Sequence, residues 1–244
     1  MTSVQPVVDG VRRGANSLVN WYLVDGDDGV TAIDAGFPPD FDDLRAALGG
    51  AQLRAVVITH GHVDHVGFAE RARRELGATV YLPADDVKIA TSWFPLARSE
   101  RNPLLYVLRY GDTRRLYLGA TLQRGMLGQR ISAWETYRGG EELPVPGRPR
   151  AVACPGHSLG HCALHLPDRD VLFAGDAIVT RDPYTGREGP RLVARAATAD
   201  SAQNLRSLEA LAQTGAKWVL TGHGEPWDRG AEEAVRLARE AGAA

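Results

Sequence analysis

Thr59-His60-Gly61-His62-Val63-Asp64-His65 packs three imidazoles and a carboxylate into one short stretch, and the reading of the whole chain starts there. The run before it, Arg54-Ala-Val-Val-Ile58, is short, apolar and β-branched, whereas the residues from Val66 onward mix apolar and charged side chains at helical spacing. The stretch therefore ends a buried strand and opens a helix. In an extended loop, residues two apart point the same way, so His60 and His62 can converge on one ion. Asp64 and His65, at the turn into the helix, are aimed elsewhere, which suits a second ion. Imidazole and carboxylate are good donors for a borderline divalent cation such as zinc, and iron or manganese accepts them too. A solvated His-rich turn is the competing interpretation. Against it stand His157, His161, His165 and His223, mostly in Gly-flanked turns after short β-like runs, where further donors would have to come from.

The 244 residues suit one domain spanning 1–244, with no linker-like stretch to divide it. Apolar content of 44% and charged content of 24% are ordinary globular values. A formal net charge of −2 gives no global pull toward nucleic acid or anionic membrane, so a small-molecule substrate is the expected partner. Cys154 and Cys162 are too few and too unpatterned for a disulfide framework. Reduced thiols, no basic-then-apolar leader and no run of membrane-spanning length together suggest a cytoplasmic protein without a membrane segment.

Residues 17–24 and 30–33 read as two strands joined by the turn Asp25-Gly-Asp-Asp-Gly29. After Asp34-Ala-Gly36 comes a short helix over 40–48, closed by Gly49-Gly50. The strand at 54–59, the histidine cluster, its helix and a strand at 79–82 complete a β-β-α-β-α-β order of α/β type. Strands return at 150–154, 162–166 and 171–174, after the Pro-rich link Leu143-Pro-Val-Pro-Gly-Arg-Pro149. A helix over 199–213 has Asp200 as its expected N-cap, a strand at 217–220 runs into Thr221-Gly-His-Gly224, and a helix over 231–240 closes the chain.

Between these halves, residues 91–140 lack strand alternation and read as a mostly helical insertion. It carries Trp93, Phe94, Tyr106, Tyr110, Tyr117, Trp134 and Tyr137, and its arginines outnumber its acids. Two amphipathic helices with solvated arginines would explain it, as would a substrate-facing lid or a homodimer surface displaying Leu104, Leu105 and Leu108.

Five motifs in order make the chain resemble the metallo-β-lactamase superfamily of di-metal hydrolases. They are Asp34 after a strand, the His60/His62/Asp64/His65 cluster, His157 in Pro155-Gly-His-Ser-Leu-Gly-His161, Asp176 in Ala174-Gly-Asp176, and His223 in Thr221-Gly-His-Gly224. The resemblance covers nearly everything outside 91–140 and implies an αββα sandwich with metals at the open edge between two mixed sheets. It implies a first ion on His60, His62 and His157, a second on Asp64, His65 and His223, and Asp176 bridging both. Asp34 would support the His60 loop from behind. Two divalent ions sharing a water would supply hydroxide near neutrality, with Asp64 orienting it, so no side-chain nucleophile is required. His161 is expected to hydrogen-bond near the site and His165 to sit in a strand without a metal role.

Gly156-His-Ser158-Leu-Gly160 also matches a nucleophile elbow, with Asp176 and His223 following in the order of a Ser-His-Asp α/β-hydrolase triad. That motif demands a following helix, whereas Cys162-Ala-Leu-His-Leu-Pro167 reads as an alternating strand, and it leaves His60, His62 and His65 unexplained. A second rival keeps the fold but runs a mononuclear iron sulfur dioxygenase. Within hydrolases, Asp176 points to the glyoxalase II-like thioesterases and the lactonases rather than to true β-lactamases, which usually lack the bridging carboxylate. The single helix after His223 leaves no room for the glutathione-binding domain of glyoxalase II itself. Small esters, thioesters or lactones are the expected substrates.

Overall fold

The computed structural model describes residues 3–92, 97–124 and 130–243; Trp93 and Phe94, two of the aromatics expected in the insertion, lie outside the described residues. Strands β1 (Ser3–Val8), β2 (Val11–Ala15), β3 (Asn20–Gly26), β4 (Gly29–Ile33), β5 (Leu53–Val57), β6 (Thr79–Pro83) and β7 (Glu135–Tyr137) lie side by side in chain order in one seven-stranded sheet. The first four pair antiparallel through tight turns. From β4 to β7 the pairing is parallel. The first two of those crossovers carry α1 (Asp40–Leu48) and α2 (Ala69–Leu76), as a parallel sheet requires. A second sheet has the order β13 (Trp218–Thr221), β10 (Val171–Gly175), β9 (Cys162–Leu166), β8 (Arg150–Ala153), with β10 parallel to β13 and the other neighbours antiparallel. A ribbon of β11 (Val179–Arg181) and β12 (Glu188–Arg191) stands apart from both.

Side-chain alternation along the strands builds three apolar layers. On β3, Trp21 and Leu23 face outward and meet Phe41, Leu44 and Phe68 from α1 and the entry to α2. Their neighbours Tyr22 and Val24 face the second sheet, where Leu164, Leu166, Val171 and Phe173 close the central layer. Beyond that sheet, Leu172 and Val219 pack on Leu208 and Leu211 of α6 (Ser201–Ala212) and on Ala234, Val235 and Ala238 of α7 (Ala231–Ala241). Helix, sheet, sheet, helix: this is the αββα sandwich that the resemblance implies. The central strands β3 and β10 are buried on both faces over most of their length, which is why they read as continuous apolar runs.

Several details depart from the expected elements. β1 and β2 are additional strands; Pro6, Arg12 and Arg13 obscure their pattern, and Pro6 is tolerated because β1 is an edge strand. The strand expected at 17–24 begins only at Asn20, because Asn16 Oδ1 accepts from the N–H groups of Leu18 (2.8 Å) and Val19 (3.0 Å) and holds the chain in a turn. Within 91–140, α4 (Pro103–Arg109) and α5 (Gly111–Leu122) supply the helical character, but the end of the stretch returns to the large sheet as β7. Tyr137 there is buried in the central layer and donates its hydroxyl to the Ile58 carbonyl at 2.7 Å. Asp200 caps α6 as expected, accepting from Gln203 N–H at 2.7 Å.

The central layer should dominate stability. Phe173→Ala removes a fully buried ring that contacts Tyr22, with centroids 5.4 Å apart, and should cost about 3–5 kcal/mol in urea unfolding. A loss below about 1 kcal/mol would show that the sheets do not depend on this contact.

Candidate metal centre

All seven expected donors meet at one edge of the sandwich, where strands of both sheets end. His60, His62, Asp64 and His65 follow β5, His157 follows β8, Asp176 follows β10 and His223 follows β13. Three groups of donors have ligand atoms within 4.8 Å of one another: His60/His62/His157, His60/His65/Asp176 and Asp64/His65/His223. Asp176 lies between the first and the last of these. Its Oδ2 is 3.5 Å from His157 Nε2 and 3.1 Å from His223 Nε2, and its Oδ1 is 3.6 Å from His65 Nε2.

The proton positions follow from the partners on the far side of each ring. Asp34 ends β4 and accepts at both oxygens: from Thr59 N–H (2.8 Å), from the Thr59 hydroxyl (2.9 Å) and from His65 Nδ1 (2.9 Å). The Thr59 hydroxyl therefore spends its hydrogen on Asp34, and can only accept from His60 Nδ1 at 3.1 Å. His223 Nδ1 donates to the Leu18 carbonyl at 2.5 Å. In each case Nδ1 carries a hydrogen that points away from the centre, and Nε2 is turned inward, the outer-sphere arrangement common behind metal-bound histidines. Asp34 thus reaches the head of the His60 loop through Thr59, and His65 directly as well.

Burial and charge divide the cluster. Burial pushes His60 and His157 well below the ordinary imidazole pKa, and the neighbouring rings push the same way, so both are neutral and free to donate a lone pair. Burial also lowers His62, against the pull of Asp64 and Asp86. At His65 burial pulls down, but Asp34, Asp176 and Asp64 together outweigh it and raise the group to about 10. Burial is likewise overcome at His223, where Asp176 raises the pKa, and at Asp176, which His223 and His65 hold well below the usual carboxylate range. The second half of the cluster is thus negative enough to demand a positive charge, either a proton or a cation.

Orphaned polar atoms make the same point. His60 Nε2, His65 Nε2 and Asp176 Oδ1 are buried without a hydrogen-bond partner among the described residues, and His157 Nδ1 is in the same condition. Each such group costs roughly 1–3 kcal/mol if left unsatisfied. Three of them in one place, all oxygen or imidazole nitrogen, fit a pair of divalent ions.

The other polar residues nearby are occupied. His161 accepts from Asp176 N–H at Nε2 (3.0 Å) and contacts Cys154 Sγ through Nδ1 (3.1 Å), so both its nitrogens serve hydrogen bonds, as expected. His165 lies on β9, opposite Arg150 and Leu172, away from the cluster. Ser158 donates to Asp86 at 2.5 Å rather than to a histidine, and β9 follows it, which removes the nucleophile-elbow reading. Asp86 itself escapes the sequence reading. It is fully buried and also accepts from Gly61 and Gly160, but in Ala84-Asp85-Asp86 nothing in the sequence separates it from its exposed-looking neighbour.

A cavity of about 280 Å³ opens onto the cluster, with His62, Asp64, His157, Asp176 and His223 forming its floor. Its walls are mainly apolar: Phe37, Ile89, Pro103, Leu116, Ala120 and Val193 among them, with Tyr117 and Tyr184 also in the lining, their rings packed edge to face with centroids 6.4 Å apart. The insertion forms much of this wall because it is tied to the second half of the chain. Thr113 donates to the Tyr184 carbonyl (2.7 Å), Asp112 pairs with Arg181 (2.5 Å), and Glu100 accepts from Ser201 N–H (2.7 Å) at the start of α6. No described helix is long and apolar enough to cross a membrane.

A model of the Metallo-beta-lactamase superfamily matches residues 15–223. The chain is 27% identical over 210 residues to "Probable metallo-hydrolase YflN" of Bacillus subtilis (strain 168), covering 80% of this chain and 75% of that protein. It is 28% identical over 130 residues to a hydroxyacylglutathione hydrolase of Cereibacter sphaeroides, covering 53% of this chain but only 36% of that enzyme. Among solved structures, a metallo-beta-lactamase family protein from Thermus thermophilus superposes with a TM-score of 0.67 at 24% identity, over 97% of this chain and 80% of that one.

In metal-free protein the three carboxylates around His65 should keep it protonated to about pH 10. Because its folded pKa lies above the unfolded value of about 6.5, this contribution to stability is complete below about pH 6.5 and disappears as pH rises through 10. Imidazole nitrogen shifts measured by NMR should show the titration moving down in Asp34→Asn. An unchanged midpoint in that variant would contradict the assigned role of Asp34.

Proposed function

Because this chain belongs to the metallo-β-lactamase superfamily, its family model covering residues 15–223, we propose that it is a metal-dependent hydrolase of small esters, thioesters or lactones. His60, His62 and His157 hold a first divalent ion, Asp64, His65 and His223 a second, and Asp176 is shared between them. Zinc is the expected metal, given imidazoles and carboxylates as the donors. The observation that carries this reading is the convergence of seven His and Asp donors, with His60 Nε2, His65 Nε2 and Asp176 Oδ1 buried and unpartnered among the described residues, at a cluster whose His62, Asp64, His157, Asp176 and His223 floor an apolar cavity. The second donor group is as complete as the first, which favours two ions over a single-iron dioxygenase.

When bound, the ions supply an acidified water and positive charge beside a developing oxyanion. The chain's own groups do the rest. Asp64 is the one carboxylate of the cluster with appreciable exposure, 18% at its side chain, and it lines the cavity. It is placed to accept a hydrogen bond from an incoming water and turn it toward the substrate carbonyl. The apolar wall holds the acyl group and excludes bulk water, which strengthens every charge interaction at the floor. The similarity to a hydroxyacylglutathione hydrolase supports including thioesters, although the chain spans about a third of that enzyme's length.

Purified protein should contain about two divalent ions per chain, lose ester or thioesterase activity with a chelator and regain it with zinc. A fluorophosphonate should have no effect. Activity that survives metal removal would refute the proposal. His157→Ala should give up one ion and lower kcat/KM by about 10²–10³-fold.

Selectivity offers a separate test. With Leu116 in the cavity wall, each methylene added to a short acyl chain should raise kcat/KM by about 4-fold, the equivalent of ~0.8 kcal/mol of burial. Leu116→Asp should flatten that series while leaving the acetyl ester little changed. A series that is flat in the wild type would remove the acyl group from this cavity.

A further inference from the structure

Between β6 and α3 (Val87–Ala90) the chain makes a single turn of 3-10 helix that ends at Asp86. This carboxylate is fully buried, and among the described residues it makes no ion pair with arginine or lysine. Its three hydrogen bonds come instead from two loops. Oδ2 accepts from Gly61 N–H at 2.9 Å and from the Ser158 hydroxyl at 2.5 Å, and Oδ1 accepts from Gly160 N–H at 2.8 Å. Gly61 separates His60 from His62, and Ser158 directly follows His157. One side chain therefore grips both loops that carry the nitrogen donors of the first group.

The glycines in those loops are there to permit the grip. A Cβ at position 61 would lie 2.8 Å from Ala90 N and 3.0 Å from the Asp86 carbonyl oxygen. At position 160 it would lie 2.6 Å from Asp86 N and 2.7 Å from Asp86 Oδ1. Both loops thus rest directly on the backbone around residue 86, closer than any side chain would allow. Hydrogen bonds to a carboxylate are the stronger kind, and three on one buried group leave little play between the loops.

The second donor group is held by other means. His65 is fixed by Asp34 and His223 by the Leu18 carbonyl. Between the two loops of the first group, the further backbone link is Cys162 N–H to the Thr59 carbonyl at 3.0 Å, which sits behind the histidines rather than beside them. Among the described residues, His62 has no hydrogen bond behind its ring of the kind that orients His60, His65 and His223; its Nδ1 lies 2.9 Å from His157 Nε2. What sets the separation of His62 from His157 is the pair of loops themselves.

We propose that Asp86 is the positioning residue of the first ion group, touching neither ion nor substrate but fixing the separation of the His60–His62 loop from the His157 loop. The inference rests on the metal-centre reading given under Proposed function. It distinguishes the two ions: removing Asp86 should weaken the first and spare the second.

The test uses the full chain, stripped of metal and titrated with zinc against a chromophoric chelator. Asp86→Ala should weaken one binding step by about 10–100-fold and leave the other unchanged. Asparagine in its place can accept on one atom only, keeping Gly61 and Ser158 or else Gly160, so Asp86→Asn should fall between alanine and wild type. Ser158→Ala, which removes one of the three bonds, should have the smallest effect. In a His223→Ala background, where the first group alone is complete, the single remaining step should carry the whole loss; in a His62→Ala background Asp86→Ala should change nothing. A carboxylate with a purely structural role would lower the melting temperature of the metal-free variants and weaken both steps alike, or neither, and either result overturns the proposal. If Asp86→Ala does not fold, Asp86→Asn and Ser158→Ala carry the test, and wild-type zinc affinities in both would overturn it. A wild-type chain that takes up no zinc instead refutes the metal reading itself, and the role of Asp86 with it.

Discussion

Asp34 is the contact on which the centre depends. It sits at the end of β4 with φ of 59°, a left-handed conformation that costs a non-glycine residue energy and that aspartate tolerates better than most. From there its two oxygens take three hydrogens, two from Thr59 and one from His65. Because both oxygens are committed, the proton pattern of two histidines is decided in advance: His60 through the threonine hydroxyl, His65 directly. A carboxylate placed behind the rings thereby turns two basic nitrogens toward the same cleft, and the strain at Asp34 is offset by bonds that no other backbone conformation there would bring into register.

The chemistry of the centre was legible in the sequence to an unusual degree, because the donors are chemically distinctive residues at strand ends. His60, His62, Asp64, His65, His157, Asp176 and His223 meet at one edge, and the αββα layering that the family resemblance implies is present. What was hidden lies in residues whose type is common. Asp86 looks like any acidic residue after a strand, and its role depends on two loops that only the fold brings together. β1 was hidden by a proline that an edge strand tolerates, β2 by its paired arginines, and β7 by a run of only three residues whose signal is a single buried tyrosine. Periodicity needs length, and these elements are too short or too polar to show it.

The insertion gains its meaning from what it is fastened to. α4 and α5 could have projected as a solvated arm, as their arginines suggest. Instead Thr113, Asp112 and Glu100 tie them to the ribbon after Asp176 and to the start of α6, and the apolar residues they turn inward become cavity wall. Their outer face keeps Leu104, Leu105, Leu108, Leu118 and Leu122 exposed. One segment therefore presents two apolar surfaces, and the inner one borders the His and Asp cluster.

The separation of the donors along the chain has a consequence for how the molecule comes to exist. His60 is made early and His223 near the end, and they meet only after β13 has taken its place beside β10. Closing such long loops is slow, and nothing at the centre rewards it until both sheets are packed. An ion that binds the finished arrangement and not the open chain then adds its binding energy to the last step alone. The centre is thus a late clasp on an already layered scaffold, and a chain cut short before β13 would keep six of the seven donors but lose His223, leaving the group of Asp64 and His65 without its third member.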